Sequence, residues 1–346
     1  MKKFLICFAA MSSMLFAASC QKDVASDVQE VEYVTAVFTV ETHQQPESKA
    51  VISADQKAIG DGLAADNLVF AVFDDEGNEL TDLRLGDWVN KIGEDNTVIK
   101  FDNSEMPKAT VTVTLVRGKQ YSFVCWAQNE AAVCYDFKDM KNIGISYADY
   151  NVSNNDLRDA FYAYATTNGK VTENFSQIIT LKRPFAQINI GTADFVEAEK
   201  AGLTNENLYS TMTVKNAASV LETFTGTASK PVDATFTYAH TLTPEFDLVI
   251  NKNKVVNKPT GAIADEYGWL AMNYVLVAEE SSLAEVSFAI REGEAAVLTT
   301  YNVSNVPVQR NYRTNIVGNL LTAEGTINIV VDPIFDGEYV EIVPAK

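Results

Sequence analysis

Val34-Thr35-Ala36-Val37-Phe38-Thr39-Val40 alternates with a period of two: Val34, Ala36, Phe38 and Val40 fall on one face, and threonines and Val37 on the other. Successive side chains of a strand point to opposite sides, so this is the pattern of a strand with one face buried. Similar runs recur at Leu68 to Phe73, Thr97 to Phe101, Thr110 to Val116, Tyr121 to Ala127 and Phe175 to Leu181. Asp74-Asp75-Glu76-Gly77-Asn78 and Arg117-Gly118-Lys119 read as hairpin connections. A helical insertion is expected near Asp156 to Ala165. So many short strands in residues 31–182 predict an all-β domain, and a β-sandwich is its natural architecture.

A second series starts after Lys182-Arg183-Pro184, where the domain boundary is placed. Strands are expected at Phe185 to Gly191, Tyr209 to Val214, Thr235 to Tyr238, Trp269 to Val277, Ala284 to Ile290, Val297 to Val303, Tyr312 to Leu321 and Thr326 to Val331. A short helix over Asp194 to Ala201 would have Asp194 as its cap and Gly202 just past its end. Residues 183–346 therefore form a second β-sandwich domain, and residues 326–346 a terminal strand segment. In the latter, Phe335 to Val343 puts Val340 and Ile342 on one face and Tyr339 and Val343 on the other.

The chain opens with Lys2 and Lys3, an apolar run from Phe4 to Ala18, then Ser19 and Cys20. Basic start, short apolar core and small residues make residues 1–20 a secretory signal. The run is short of the roughly 20 apolar residues that span a bilayer. Small residues leading into Cys20 resemble a bacterial lipoprotein signal, in which that cysteine is lipidated and holds the chain to the outer membrane; a plain secretory signal is the alternative. Residues 21–30 read as a polar tether.

Loss of residues 1–20 takes Lys2 and Lys3 with it, moving the formal charge from −19 to −21. So acidic a chain is a poor ligand for nucleic acid or anionic membrane surfaces. Of four cysteines, Cys7 leaves with the signal and Cys20 is the lipid site. Cys125 and Cys134 remain, either as a loop-closing disulfide in an oxidising compartment or as two separate thiols.

No catalytic constellation is present: no HExxH, P-loop, strand-borne GxGxxG or GxSxG elbow. The two histidines, His43 and His240, lack ligand-spaced partners, so neither metal nor cofactor is expected. Neighbouring carboxylates such as Asp74-Asp75, Asp136 with Asp139, Glu279-Glu280 and Glu292 with Glu294 are what 46 acidic residues produce by chance. Trp88, Trp126 and Trp269 read as core fillers before they read as a sugar platform.

Several stretches resemble the fimbrillins, subunits of type V pili. They are Lys57-Ala58-Ile59-Gly60-Asp61-Gly62 leading into Leu68-Val69-Phe70-Ala71-Val72-Phe73-Asp74, then Arg183-Pro184-Phe185-Ala186-Gln187-Ile188. Arg310-Asn311-Tyr312-Arg313-Thr314-Asn315-Ile316 before Gly318-Asn319-Leu320-Leu321 follows, and Asp332-Pro333-Ile334-Phe335-Asp336-Gly337-Glu338-Tyr339 closes the series. The resemblance implies two transthyretin-like β-sandwiches in series, export as a lipoprotein, and partners that are other pilin subunits. It further implies that a surface protease removes the first strand, here about Glu32 to Glu41, and that the vacated groove takes a strand from a neighbouring subunit. Donor candidates are Ile327, Ile329 and Val331, or Val340 and Ile342. Stalk pilins of the family are cut after a basic residue, usually Arg, but no arginine lies between Cys20 and Arg84. Lys49 and Lys57 are then the processing candidates, or the subunit stays uncut as a lipid-held anchor. The competing expectation is a monomeric surface lipoprotein that binds glycan or protein through its sandwich loops.

Overall fold

The computed structural model describes residues 31–42, 65–102, 107–148, 153, 155–192, 194, 197, 200, 208–240, 268–292, 296–322, 327–332 and 343–344. The signal, the tether, Cys20, His43, Lys49, Lys57, Val340 and Ile342 lie outside these residues. The described residues from Tyr33 onward belong to one compact unit.

Its first layer is a three-stranded sheet, with β1 (Tyr33–Thr42) between β4 (Lys108–Val116) and β9 (Phe175–Leu181). Facing it is a four-stranded sheet ordered β3 (Ile99–Lys100), β2 (Asn67–Phe73), β5 (Ser122–Gln128) and β8 (Ala160–Thr166). Inward residues of both sheets share one core: Val34, Ala36, Phe38 and Val40 of β1, Val111, Val113 and Leu115 of β4, and Leu68, Phe70, Val72, Phe123 and Cys125 opposite. That is the first sandwich.

The apolar run Leu68 to Phe73 has a reason: all of β2 is buried, on both faces. A strand covered on both sides needs no polar alternation. Its second face, with Val69, Ala71 and Phe73, joins Val124 and Trp126 in a separate, larger core. Among the described residues that core also takes side chains from β6 (Tyr135–Asp136), β7 (Asn142–Ile145), β10 (Phe185–Thr192), β11 (Leu208–Glu222), β12 (Thr227–His240), β13 (Gly268–Leu276), β14 (Ser281–Glu292), β15 (Ala296–Gln309), β16 (Arg313–Gly318) and β17 (Ile327–Asp332), and β18 (Val343–Pro344) pairs with β17. These pair as two layers, β12–β11–β14–β15 and β13–β10–β16–β17–β18, joined at the single pair Ala218–Leu276. Met212, Val214 and Phe288 of one layer and Ile188, Ile190 and Ile316 of the other are buried together. The second series is therefore also a sandwich, and the described chain is all-β.

Long strands β11 and β12 bend to serve both ends of their layer. A register shift separates Val214 from Ala217, where Asn216 has a φ of 56°. An extra residue of this kind turns the strand and increases its twist. Beyond the bend, β11 leaves β14 and pairs with β7, so hydrogen bonding crosses the expected boundary at Lys182 to Pro184.

Two local expectations are corrected. Arg117-Gly118-Lys119 is not a hairpin: Gly118, at a φ of 81°, carries the chain from β4 in one sheet to β5 in the other. Both strands have apolar faces to bury, and stacking them across the core buries both where side-by-side pairing would not. The helix near Asp156 to Ala165 reduces to one 3-10 turn, Asp156–Arg158, before β8. Alanines there favour a helix in isolation, but β8 pairs with β5 over its full length and buries Ala160, Phe161 and Ala163. In the Asp194 segment, Glu197 and Lys200 are helical. The Asp194 carboxylate accepts hydrogen bonds from the Leu321 and Thr322 backbone and from the Thr322 hydroxyl, tying the end of the second sandwich to β10.

Where β9 gives way to β10, Arg183 is 5% exposed and donates to both oxygens of buried Asp159, at 2.7 and 2.8 Å, and to Asn311 Oδ1 at 2.5 Å. Its guanidinium also lies 4.7 Å from the Phe161 ring centre. Removing one partner of a buried pair strands the other's charge, at a cost of about 3–5 kcal/mol. Arg183→Ala and Asp159→Ala are each expected to lower unfolding stability in urea by about that much, with the double variant far short of the sum; additive losses would show that the pair does not act as one unit.

Candidate functional site

β1 sits in a slot between two strands. It runs antiparallel to β4 from Tyr33–Val116 to Glu41–Lys108, and parallel to β9 from Ala36–Phe175 to Thr42–Leu181. Val34, Ala36, Phe38, Val40 and Thr42 are all inward and at most 5% exposed. Phe38 is the centrepiece. Its ring centre lies 4.5 Å from Phe123, 5.0 Å from Phe70 and 5.8 Å from Phe175, each pair tilted or edge-on. Such arrangements suit the charge distribution of aromatic rings. Burial of Val34, Phe38 and Val40 contributes roughly 1.5–3 kcal/mol each.

If β1 left, two consequences would follow. The facing edges of β4 and β9 would expose unpaired N–H and C=O groups, a template for another strand. A trough fitted to Phe38 and its smaller neighbours would open at the same time. The chain can do this chemically without breaking a disulfide or removing a metal: among the described residues no disulfide joins β1 to the body, and no three His, Cys, Asp or Glu side chains meet where a metal could sit. The segment 43–64 that follows β1 carries Lys49 and Lys57.

Cys125 and Cys134 are not bridged. Alternation along β5 sends Cys125 into the first core beside Phe123, while Cys134 sits in the larger core on the other side of the same sheet. Burial pushes the Cys125 thiol far above its usual pKa, so it is inert while the core is closed.

The donor candidates divide. Ile327, Ile329 and Val331 belong to β17, which pairs with β16 from Gly318–Ile327 to Arg313–Asp332, and Ile329 is buried in the larger core. They are therefore structural members of their own sandwich. Val340 and Ile342 follow β17 in a segment outside the described residues.

Other candidates resolve into structure. Asp74 accepts hydrogen bonds from the backbone of Asn78 and Glu76, which hold its carboxyl below the usual range in a tight turn. Trp126 is enclosed, and Trp88 packs against Phe137 with ring centres 5.7 Å apart. Trp269 lies in β13, and His240 ends β12 opposite Leu208. The Arg310 motif holds backbone: its guanidinium donates to the carbonyls of Val277, Gly226 and Ala278. Sequence reasoning missed the Phe70, Phe123 and Phe175 walls of the slot. Their strands were legible, but alternation does not say which strands face one another.

A family model described as a family of unknown function, DUF6562, matches residues 26–344. The chain belongs to that family. No curated protein matches it. Among solved structures, a fimbrial assembly protein from Parabacteroides distasonis is 13% identical, covering 91% of this chain and 99% of its own at a TM-score of 0.43. The fimbrial anchor protein Mfa2 from Porphyromonas gingivalis is 12% identical, with 90% and 100% covered and a TM-score of 0.43. A candidate polysaccharide-binding protein from Bacteroides thetaiotaomicron is 12% identical, with 89% and 98% covered and a TM-score of 0.46.

Replacing Phe38 by Ala is expected to cost about 3–5 kcal/mol of stability, measured by urea unfolding of the full chain. Cutting the chain within 43–64 and displacing β1 is expected to make Cys125 react with maleimide while Cys134 stays protected. Equal labelling of both thiols, located by peptide mass, would show general unfolding and not an opened slot.

Proposed function

We propose that this protein is a structural subunit of a cell-surface fimbria, exported as a lipoprotein through Cys20 and assembled by strand exchange in support of adhesion. The observation that carries the reading is β1: a central strand, buried on its inward face, that joins the rest of the body through the single segment 43–64. Cutting in that segment turns a covalent element into a removable one. The hydrophobic and hydrogen-bonding deficit left behind then drives uptake of another strand.

In this account the uncut chain is a closed monomer, because its own β1 fills the slot. Cleavage after Lys49 or Lys57 creates an acceptor, and the terminal segment after Asp332 supplies the donor. Two edges of the second sandwich are blunted. Edge strands β12 and β15 carry Pro231 and Pro307, which cannot donate to a ladder, and Lys230 and Asn305 have positive φ values that disrupt regular pairing.

The test is mass and N-terminal sequencing of the protein recovered from the cell surface, with native gels alongside. Subunits starting at Ala50 or Ala58 that run as ladders are the expected result; an intact, lipidated chain that stays monomeric under mild trypsin would overturn assembly. A chain truncated after Asp332 is expected to fold as a monomer with unchanged urea stability and to form no ladders, and ladders from it would remove the terminal segment from the mechanism.

A further inference from the structure

The slot has a shape, and the shape selects its occupant. In order along β1 its inward positions hold Val34, Ala36, Phe38, Val40 and Thr42, so one large pocket is flanked by smaller ones. The large pocket is walled by Phe70, Phe123 and Phe175. An incoming strand with only Ile or Val at that position would leave an unfilled volume between the rings, and interiors tolerate such voids poorly.

Beyond Asp332 the chain has two aromatic residues, Phe335 and Tyr339. In a strand their side of the chain carries Val331, Pro333, Phe335, Gly337 and Tyr339, none of them charged. The other side carries Asp332, Asp336 and Glu338. The Val340 and Ile342 side would therefore bring Asp336 and Glu338 into an apolar trough, which is unfavourable for unpaired charges. With Phe335 in the large pocket, the neighbouring inward positions fall to Pro333 and Gly337 in either chain direction, and both are small enough for the Ala36 and Val40 sites. The ladder of β17 with β16 runs to Arg313–Asp332, and this stretch follows it in sequence. Among the described residues, the pairs Asn328–Pro344 and Ile329–Val343 join the chain end to β17.

We infer that Phe335 of a second copy of this chain is the key of the donor strand and occupies the Phe38 pocket, with residues 333–339 in the β1 slot. This deepens the strand-exchange reading and rests on it. It also moves the donor face from Val340 and Ile342 to the opposite side of the same segment.

The test uses the full chain nicked between residues 43 and 64 and three fluorescent peptides: residues 33–42, residues 331–341, and residues 331–341 with Phe335→Ala. Binding is read by anisotropy, and a photo-crosslinker replacing Phe335 maps the contact. The expected result is that the first two peptides bind, that Phe335→Ala weakens binding on the order of a hundredfold, and that crosslinks fall on Phe70 or Phe123. If residues 33–42 bind but residues 331–341 do not, or if Phe335→Ala binds equally well, the Phe335 assignment is wrong and strand exchange survives. If residues 33–42 also fail to bind, strand exchange itself fails and takes the assignment with it.

Discussion

Everything proposed for this protein depends on one packing contact, the insertion of Phe38 among Phe70, Phe123 and Phe175. It fixes which face of β1 is inward, and with a period of two that choice fixes every other side chain on the strand. Val34, Ala36 and Val40 follow it into the core, and the β4 and β9 registers follow from there. Because the contact is made by an N-terminal strand, the first sandwich is completed by an element that one cut can detach. A helix or a central hairpin in the same position could not be released without dismantling the fold.

Such a slot is useful only if the rest of the molecule stays rigid when it opens. Two features provide that. β2 and β5 are buried on both faces, so their second face remains packed in the larger core when the first is exposed. The Arg183–Asp159–Asn311 contact then ties the start of β8 and the start of β10 to the turn before β16 through charge-assisted hydrogen bonds. Hydrogen bonding from β7 to β11 adds a further link. Loss of β1 is thereby confined to one side of one sandwich.

Much of this was legible in the residues. Period-two alternation locates β1, β4, β5, β9 and β10; the same reading gives β2 one buried face, where the strand buries both. Where reading failed, partners decided the outcome. Ala160 to Thr166 carries three alanines that suit a helix, but Phe161, Tyr162, Tyr164 and Thr166 suit a strand, and pairing with β5 settles it as one. Arg117-Gly118-Lys119 has the chemistry of a turn, but whether the turn joins neighbours or crosses between sheets depends on where β5 finds its ladder. Cys125 and Cys134 are close in sequence, yet a sheet lies between the cores that hold them. The strand pattern and the family resemblance point to β1, but the aromatic walls around it come from three strands far apart in sequence, and no local pattern brings them together.

The most direct measurement is a high-resolution structure of the assembled fibre, with the strand between β4 and β9 traced to its origin. The account predicts that this strand belongs to a neighbouring subunit and that Tyr33–Thr42 of the accepting chain is gone. Finding the chain's own Tyr33–Thr42 still seated there in every subunit of the fibre would contradict it.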